Sequence, residues 1–517
     1  MALRTDSRGM TSERVRERWI LIATILGSSM VFIDGSVVTL ALPQMQRTFG
    51  ASSTGIAWVI EGYTLILGAL MLFGGAVGDR IGRKRAFIIG TIVFALGSAG
   101  CAFAWSLTSM ILARCVQGIG GMLLAPSSLA LIGAHFTGEA RGRAIAAWSA
   151  FSALTSTLGP ALGGILIDHL GWRSVFWINI PLAIVVLYAS FKHLDESRDE
   201  SATGPLDLLG ATLVTLGLGG VTYALISSST TGWHDARTLA SAVAGIVLLV
   251  SFFIVERHIP NPLLPIALFR SRTFTAINIA TLLIYGAGGG NFYEMPFVMI
   301  QGHGYSATQA AISTLPVVVC IVLLSRVGTL LAQAIGRRAV LTIGPAIVAI
   351  GYALLGLLEP NESYWTSFFP GLFTVGIGMG LTVAPLTATV VDTADPRHMG
   401  AASGVNNAVS RIAGLLAIAV LSIVVWTRFN AELDHRLAVT HVTPAQTAAI
   451  NAQRDRMGGA HLHSPAAQSI VIAAFRSAYR WAAFTCAALC LLAAIVDVML
   501  IENEAPVPVL RARRAST

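Results

Sequence analysis

The sequence predicts an all-α polytopic membrane protein, and three observations carry that reading. Of 517 residues, 55% are apolar and only 12% charged, about half the charge of a soluble domain, and the mean hydropathy is +0.72. The apolar residues fall in runs of about 20, the length that crosses a hydrocarbon core as a helix. The basic residues collect in alternate connections, as cytoplasmic loops require. This composition excludes a soluble enzyme, a disordered chain and a disulfide-stapled secreted module. The five cysteines (Cys101, Cys115, Cys320, Cys486 and Cys490) all lie in apolar runs, without metal-ligand spacing. The 51 glycines suit close helix packing in lipid.

Fourteen spans are expected, in order along the chain. Residues 1–18 are polar and hold five arginines, so they read as a cytoplasmic segment rather than a cleaved signal peptide. Span 1 (19–42) follows and carries Asp34. Spans 2 and 3 (55–77 and 85–105) flank a basic, glycine-rich turn. Span 4 (108–133) contains Arg114, span 5 (142–167) a Gly-Pro pair, and span 6 (173–192) follows a Gly-Trp-Arg turn. Spans 7 and 8 (206–227 and 238–257) form a short hairpin. Span 9 (273–300) is glycine-rich around Glu294. Spans 10 and 11 (308–333 and 338–358) flank a second basic turn, and spans 12 and 13 (363–390 and 400–427) complete the run. Residues 428–477, with Pro444, Gly458, Gly459 and Pro465, read as a long polar outer loop before span 14 (478–501) and a cytoplasmic tail (502–517).

Charge fixes the orientation. With both termini cytoplasmic, 22 of the 34 Lys and Arg fall inside. Three (Arg47, Arg173 and Arg237) fall in short outer loops, six in the long outer segment and the first turn of span 14, and three (Arg114, Arg326 and Arg411) within spans. Short loops are the informative ones, because long loops translocate whatever their charge. The net charge of +8 therefore reports topology, not nucleic-acid binding.

The sharpest motif joins spans 2 and 3: Gly75-Ala-Val-Gly78-Asp79-Arg80-Ile-Gly82-Arg83-Lys84-Arg85. Its glycines let two helix ends approach around a tight turn. Asp79 can pair with a base or cap a helix N-terminus. A plain positive-inside anchor would explain the bases, but neither the glycine spacing nor the acid. Asp79, Arg80, Gly82, Arg83 and Lys84 are therefore the candidate cytoplasmic gate.

This segment resembles the loop signature of the major facilitator superfamily, and further stretches agree. Arg114-Cys-Val-Gln117-Gly118-Ile-Gly120-Gly121 is similar to that superfamily's buried-arginine motif. Gly159-Pro160-Ala-Leu-Gly163-Gly164 resembles its antiporter motif. Asp34-Gly-Ser-Val-Val-Thr-Leu-Ala41-Leu42-Pro43 and Gly171-Trp172-Arg173-Ser-Val-Phe176-Trp177-Ile-Asn179-Ile-Pro181 resemble the fourteen-span drug:proton antiporter branch, of multidrug efflux type. Asp207-Leu-Leu-Gly210, Asn261-Pro262-Leu-Leu-Pro265 and Ala402-Ser403-Gly404-Val-Asn406-Asn407 also fit it. Two departures stand out: Thr155 precedes Gly159 where that motif usually has glycine, and Gln333 stands where the second basic turn would repeat Asp79.

The resemblance implies a major facilitator fold: an N-terminal six-helix bundle (19–192), two extra central helices (206–257) and a C-terminal six-helix bundle (273–501). Each bundle is built from inverted three-helix repeats, and substrate is moved by alternating access. It further implies a secondary transporter in a bacterial inner membrane, drawing on a proton gradient, with no cofactor, no metal and no enzymatic activity. Its partners would be a small molecule, protons and lipid, acting as a monomer. No Gly-x-x-x-x-Gly-Lys-Ser/Thr loop for direct ATP use is present.

Acids within spans are costly, about 2.5–3.5 kcal/mol each on insertion scales, so each asks for a function. Asp34, in Phe32-Ile33-Asp34-Gly35, is the expected proton-coupling site. Arg114, a cation at any working pH, is expected to tune it, as the resemblance implies. Glu61 (span 2) and Glu294 (span 9) are expected to meet the substrate's charge, with Tyr63, Asn291 and Tyr293 beside them. Aromatics such as Phe32, Trp58, Phe151, Tyr285 and Phe292 could add cation–π contacts. Asp168 and Asp497 read as interfacial. His435, His441, His461 and His463 read as a solvated loop rather than a metal site. Gly159, Pro160, Gly163 and Gly164 supply a close-packed bend. The expected activity is efflux of small amphipathic, cationic compounds in exchange for protons. The alternatives are export of a metabolite or an anion, with Arg114, Arg326 and Arg411 as partners, or a sensor without flux.

Overall fold

The computed structural model describes residues 7–198, 204–260, 262–357, 363–393 and 399–502, and every regular element among them is helical. In chain order these are α1 (Ser7–Phe49), α2 (Ser53–Ile81), α3 (Arg83–Ala102), α4 (Leu107–His135), α5 (Gly138–Leu170), α6 (Ser174–Trp177), α7 (Asn179–His193), α8 (Leu208–Thr231), α9 (Ala236–Glu256), α10 (Arg272–Phe297), α11 (Ala307–Ser313), α12 (Leu315–Ile335), α13 (Arg337–Gly356), α14 (Phe368–Asp392), α15 (Met399–Val439), α16 (Pro444–Ala452) and α17 (Pro465–Leu500). Serine and threonine start several of them. Ser106 and Ser109 form a capping box at α4, as do Ser306 with Gln309 at α11 and Thr443 with Gln446 at α16.

Among the described residues, twelve helices are long and apolar enough to cross a membrane, where the sequence leads to an expectation of fourteen. The expected spans 142–167 and 273–300 lie in the helices α5 and α10, outside those twelve; of α5 the described residues give only a shorter apolar stretch, Leu158–Leu170. The first turns of α5 carry Glu139, Arg141 and Arg143, and α10 carries Arg272, Asn278, Asn291 and Glu294. The segment expected as a polar outer loop (428–477) is largely helical instead. α15 continues to Val439, α16 follows, a 3-10 turn covers Arg454–Gly459, and α17 begins at Pro465. Local pairs that a hydropathy reading ignores hold this extension. Arg436 Nε donates to Glu432 Oε1 at 2.6 Å one turn away, and the Arg428 guanidinium lies 3.7 Å from the centre of the Trp481 ring.

The chain forms two compact units: Met1–Gln44 with Trp58–Thr215, and Met45–Ala57 with Leu216–Thr517. In the first unit, glycines bring helix backbones together. A Cβ on Gly74 of α2 would lie 2.0 Å from the Met122 carbonyl oxygen of α4, and one on Gly120 of α4 would lie 2.3 Å from the Phe94 nitrogen of α3. Phe87, Phe94, Met30 and Leu124 fill the core between these helices. In the second unit Phe274, Ile277 and Ile284 of α10 pack with Val405 of α15 and Ala493 of α17. Asn406 of α15 donates to Thr281 Oγ1 (2.8 Å) and to Asn278 Oδ1 (3.2 Å) of α10. Such polar bonds hold helices together where lipid provides no hydrophobic drive.

Candidate functional site

In the first unit, four helices converge on Asp34. α1 places it where it is 1% exposed, and Arg114 and Gln117 of α4 are both fully buried. Arg114 Nη1 donates to Asp34 Oδ2 at 2.5 Å, and Gln117 Nε2 donates to Asp34 Oδ1 at 2.7 Å. Arg114 Nη1 also donates to Gln117 Oε1 at 2.7 Å, closing a triangle, and its Nε donates to the Val59 carbonyl of α2 at 2.9 Å. The guanidinium lies 4.2 Å from the centre of the Tyr63 ring. Both carboxyl oxygens of Asp34 accept hydrogen bonds. Arginine and glutamine sit three residues apart on one helix, so their side chains share a face. α5 presses on the same stretch of α1. A Cβ on Gly163 would lie 2.2 Å from Val37 Cγ1, and one on Gly159 would lie 3.3 Å from Ser36 Oγ. Pro160 is buried in α5 beside them, as is Gly164.

Glu61, on α2 between Val59 and Tyr63, is fully buried, and among the described residues neither of its carboxyl oxygens has a hydrogen-bond partner. A polar group buried in that way is expensive, and a charged one more so. Tyr63, expected beside the substrate, is 3% exposed and lies against Arg114.

The basic turn after α2 is tied within the first unit. Asp79 Oδ1 accepts from Arg83 Nε at 2.8 Å, so the acid pairs with a base one turn away. The cap on α3 comes from elsewhere: Lys84 N and Arg85 N donate to Glu196 Oε1 (3.0 Å) and Oε2 (3.2 Å). Arg83 N donates to the Ser197 carbonyl at 2.7 Å, Lys84 Nζ to the Leu194 carbonyl at 2.6 Å, and Arg80 Nη1 to the Gly204 carbonyl at 3.0 Å. Gly82 sits at φ +114°, a conformation open to glycine, and a Cβ there would lie 2.4 Å from the Glu196 carboxyl. Arg16 of α1 pairs with Asp195 in the same segment. Residues 194–197, just past α7, together with Gly204, therefore clasp α1, α2 and α3.

In the second unit, Glu294 is 4% exposed and lines a small cavity with Tyr293, Gln301, Gln46, Ser53 and Arg456. Asn291 is occupied elsewhere, its Oδ1 accepting from the Tyr479 hydroxyl of α17 at 2.9 Å. Of the arginines weighed for an anion, Arg326 is exposed on α12 and Arg411 is half-buried on α15. Asp497, expected at an interface, is 1% exposed, and among the described residues neither oxygen has a hydrogen-bond partner. It lies on the face of α17 that packs inward with Ala493 and Ala494, which hydropathy alone does not distinguish from the lipid face. Asp168 is exposed as expected. Asn261 lies outside the described residues. Among the described residues no three His, Cys, Asp or Glu side chains cluster as metal ligands do.

Asp34 and Arg114, both singled out in the sequence, lie side by side, joined by Gln117, to which the sequence assigned no role. Glu196, which acts across 112 residues of chain, and Tyr479, which meets Asn291 across 188, were not singled out. Neither contact leaves a trace in local spacing.

Comparison with known proteins agrees with this architecture. The chain is 31% identical over 428 residues to the multidrug resistance protein Stp of Mycobacterium tuberculosis (strain CDC 1551 / Oshkosh), covering 82% of this chain and 79% of that one. It is 30% identical over 408 residues to the methylenomycin A resistance protein of Bacillus subtilis (strain 168), covering 78% and 87%. Its fold matches the crystal structure of a bacterial homologue of the human lysosomal transporter Spinster, with a TM-score of 0.62 at 17% identity over 95% of this chain and 99% of that one. Residues 24–418 match the Major Facilitator Superfamily as a family. The chain belongs to the Major Facilitator Superfamily.

Proposed function

We propose that this membrane transporter is a proton-coupled exporter of small amphipathic, cationic drugs or toxic compounds, acting from a bacterial inner membrane with both termini cytoplasmic. The observation that carries the reading is the pair of buried acids in the first unit, one fully bonded and one not. Asp34 has a cation and an amide on its two oxygens. A proton arriving on Asp34 removes the charge that holds Arg114. The guanidinium keeps Gln117 Oε1 and the Val59 carbonyl, but the strongest of its bonds is lost. Protonation and release of Arg114 are then one event, and α1, α2 and α4 all feel it.

Glu61 supplies the other half. With no internal partner, it gains most from a positive group brought by a substrate. Binding such a cation competes energetically with holding a proton, and competition of this kind couples opposed fluxes. The basic turn at Asp79 is the cytoplasmic gate, and the glycines of α5 hold α1 in place around Asp34. The names of the relatives, which concern drug and antibiotic resistance, support export rather than uptake.

The test is efflux of a fluorescent lipophilic cation such as ethidium from energised cells. The wild type should show efflux that an uncoupler stops. Asp34→Asn should lose it while reaching the membrane at wild-type abundance. Normal uncoupler-sensitive efflux by Asp34→Asn would remove Asp34 as the coupling site.

A further inference from the structure

Glu294 was expected to contact substrate, yet its surroundings are those of a different kind of site. The cavity it lines has a volume of about 20 Å³, room for one or two waters, whereas drug-sized ligands occupy about 300–1,000 Å³. The walls offer a water the several polar partners it needs: Gln46, Ser53, Gln301 and Ser422 all face in. Among the described residues, no hydrogen bond or ion pair reaches the Glu294 carboxyl.

The cavity is roofed by the 3-10 turn Arg454–Gly459. Gln46 Nε2 donates to the Arg456 carbonyl at 3.3 Å, and Ser53 Oγ donates to the Asp455 carbonyl at 2.9 Å. Gln301 Nε2 donates to Gln46 Oε1 at 2.9 Å and steadies it. At its base the turn is anchored to α15, where Arg454 Nη2 lies 2.7 Å from Asp434 Oδ1. The turn has a strained residue, Met457 at φ 49°, ψ −125°, a conformation that persists only when its surroundings enforce it. Its fit leaves no slack: a Cβ on Gly459 would lie 2.5 Å from Gln46 Oε1, and one on Gly458 would lie 2.6 Å from Phe475.

We infer that Glu294 is a second proton-binding site, reached from the loop side of the membrane through a water-sized cavity whose roof, the Arg454–Gly459 turn, opens and closes as a lid. Proton uptake there is simple. A proton leaves water in the cavity, adds to the Glu294 carboxylate and makes a neutral carboxylic acid, with no other bond changed. The groups facing it are few: Tyr479 and Cys486 from α17, Tyr293 on its own helix, and Arg456 from the turn. Behind the turn, His461 is pushed below its ordinary range by partial burial, and then by Arg47 and Arg456. Positive charge at the roof's edge is therefore supplied by Arg47 and Arg456 rather than by His461. This inference rests on the antiport reading for its purpose, but not for its test.

The test uses the full-length protein in lipid nanodiscs without substrate, so it stands whether or not any drug is exported. Infrared difference spectra across a pH titration should show a carboxyl band in the wild type that is lost in Glu294→Gln and shifted in Glu294→Asp. The second variant decides the matter should the first fail to fold. Identical titrating bands in wild type and both folded variants would overturn the site. For the lid, Gly459→Val should raise labelling of Glu294 by a water-soluble carbodiimide several-fold over wild type, read by mass spectrometry. Equal labelling would overturn the lid. A positive infrared result together with no drug efflux in cells would sink the antiport reading alone.

Discussion

Asp34 is bound by two donors, one a cation, and is buried. Removing one partner of a buried ion pair typically costs about 3–5 kcal/mol, because the other charge is left without compensation. Arg114→Leu should therefore lower the thermal unfolding midpoint in detergent markedly. Adding Asp34→Asn to it should recover a large part of the loss, since the double variant buries no charge. Unfolding of Arg114→Leu at the wild-type temperature would mean that the pair has no structural weight. The sequence made this pair visible because charged residues inside apolar runs stand out. It did not show that Gln117 completes the triangle, because a glutamine in a helix draws no such attention. Nor did it show that Tyr63 lies under Arg114, since a buried aromatic looks the same whichever neighbour it packs on.

Among the helices, the start of α3 is capped by an acid from a distant segment. Its four leading N–H groups have no partners within the helix, and Glu196 takes two of them. Capping of this kind is worth about 0.5–2 kcal/mol. Glu196→Ala should accordingly speed hydrogen–deuterium exchange in the first turn of α3, with little change in α13, whose start lies in the other unit. Unchanged exchange at Lys84 and Arg85 would show that the cap carries no weight. The helices themselves were legible in the sequence through hydropathy, but their ends less so. α1 begins at Ser7 and α15 runs to Val439, both beyond the apolar runs, because helix continues wherever side chains satisfy it. Polar segments such as 428–439 are stabilised by i,i+4 pairs and ring contacts, which an apolar count reads as loop.

Over the whole molecule, membership of the superfamily rests on motifs spread from α1 to α15, which is why the family could be read from the sequence. Alternating access needs only that a binding site switch its exposure from one side of the membrane to the other, and that the switch be tied to proton occupancy. The tie is proposed at Asp34, with Arg114 and Gln117 as the groups that register its charge. What was not legible is contact between residues far apart in sequence: the clasp at 194–197 and the roof at 454–459 exist only once the chain is folded.

The most direct test of that tie is proton flux in proteoliposomes holding purified protein and an internal pH-sensitive dye. An imposed gradient of a lipophilic cationic substrate should drive protons in the opposite direction in the wild type. In Asp34→Asn the same gradient should move none, with substrate still bound. Proton movement of wild-type size in Asp34→Asn, or substrate movement without any proton flux in the wild type, would contradict the account.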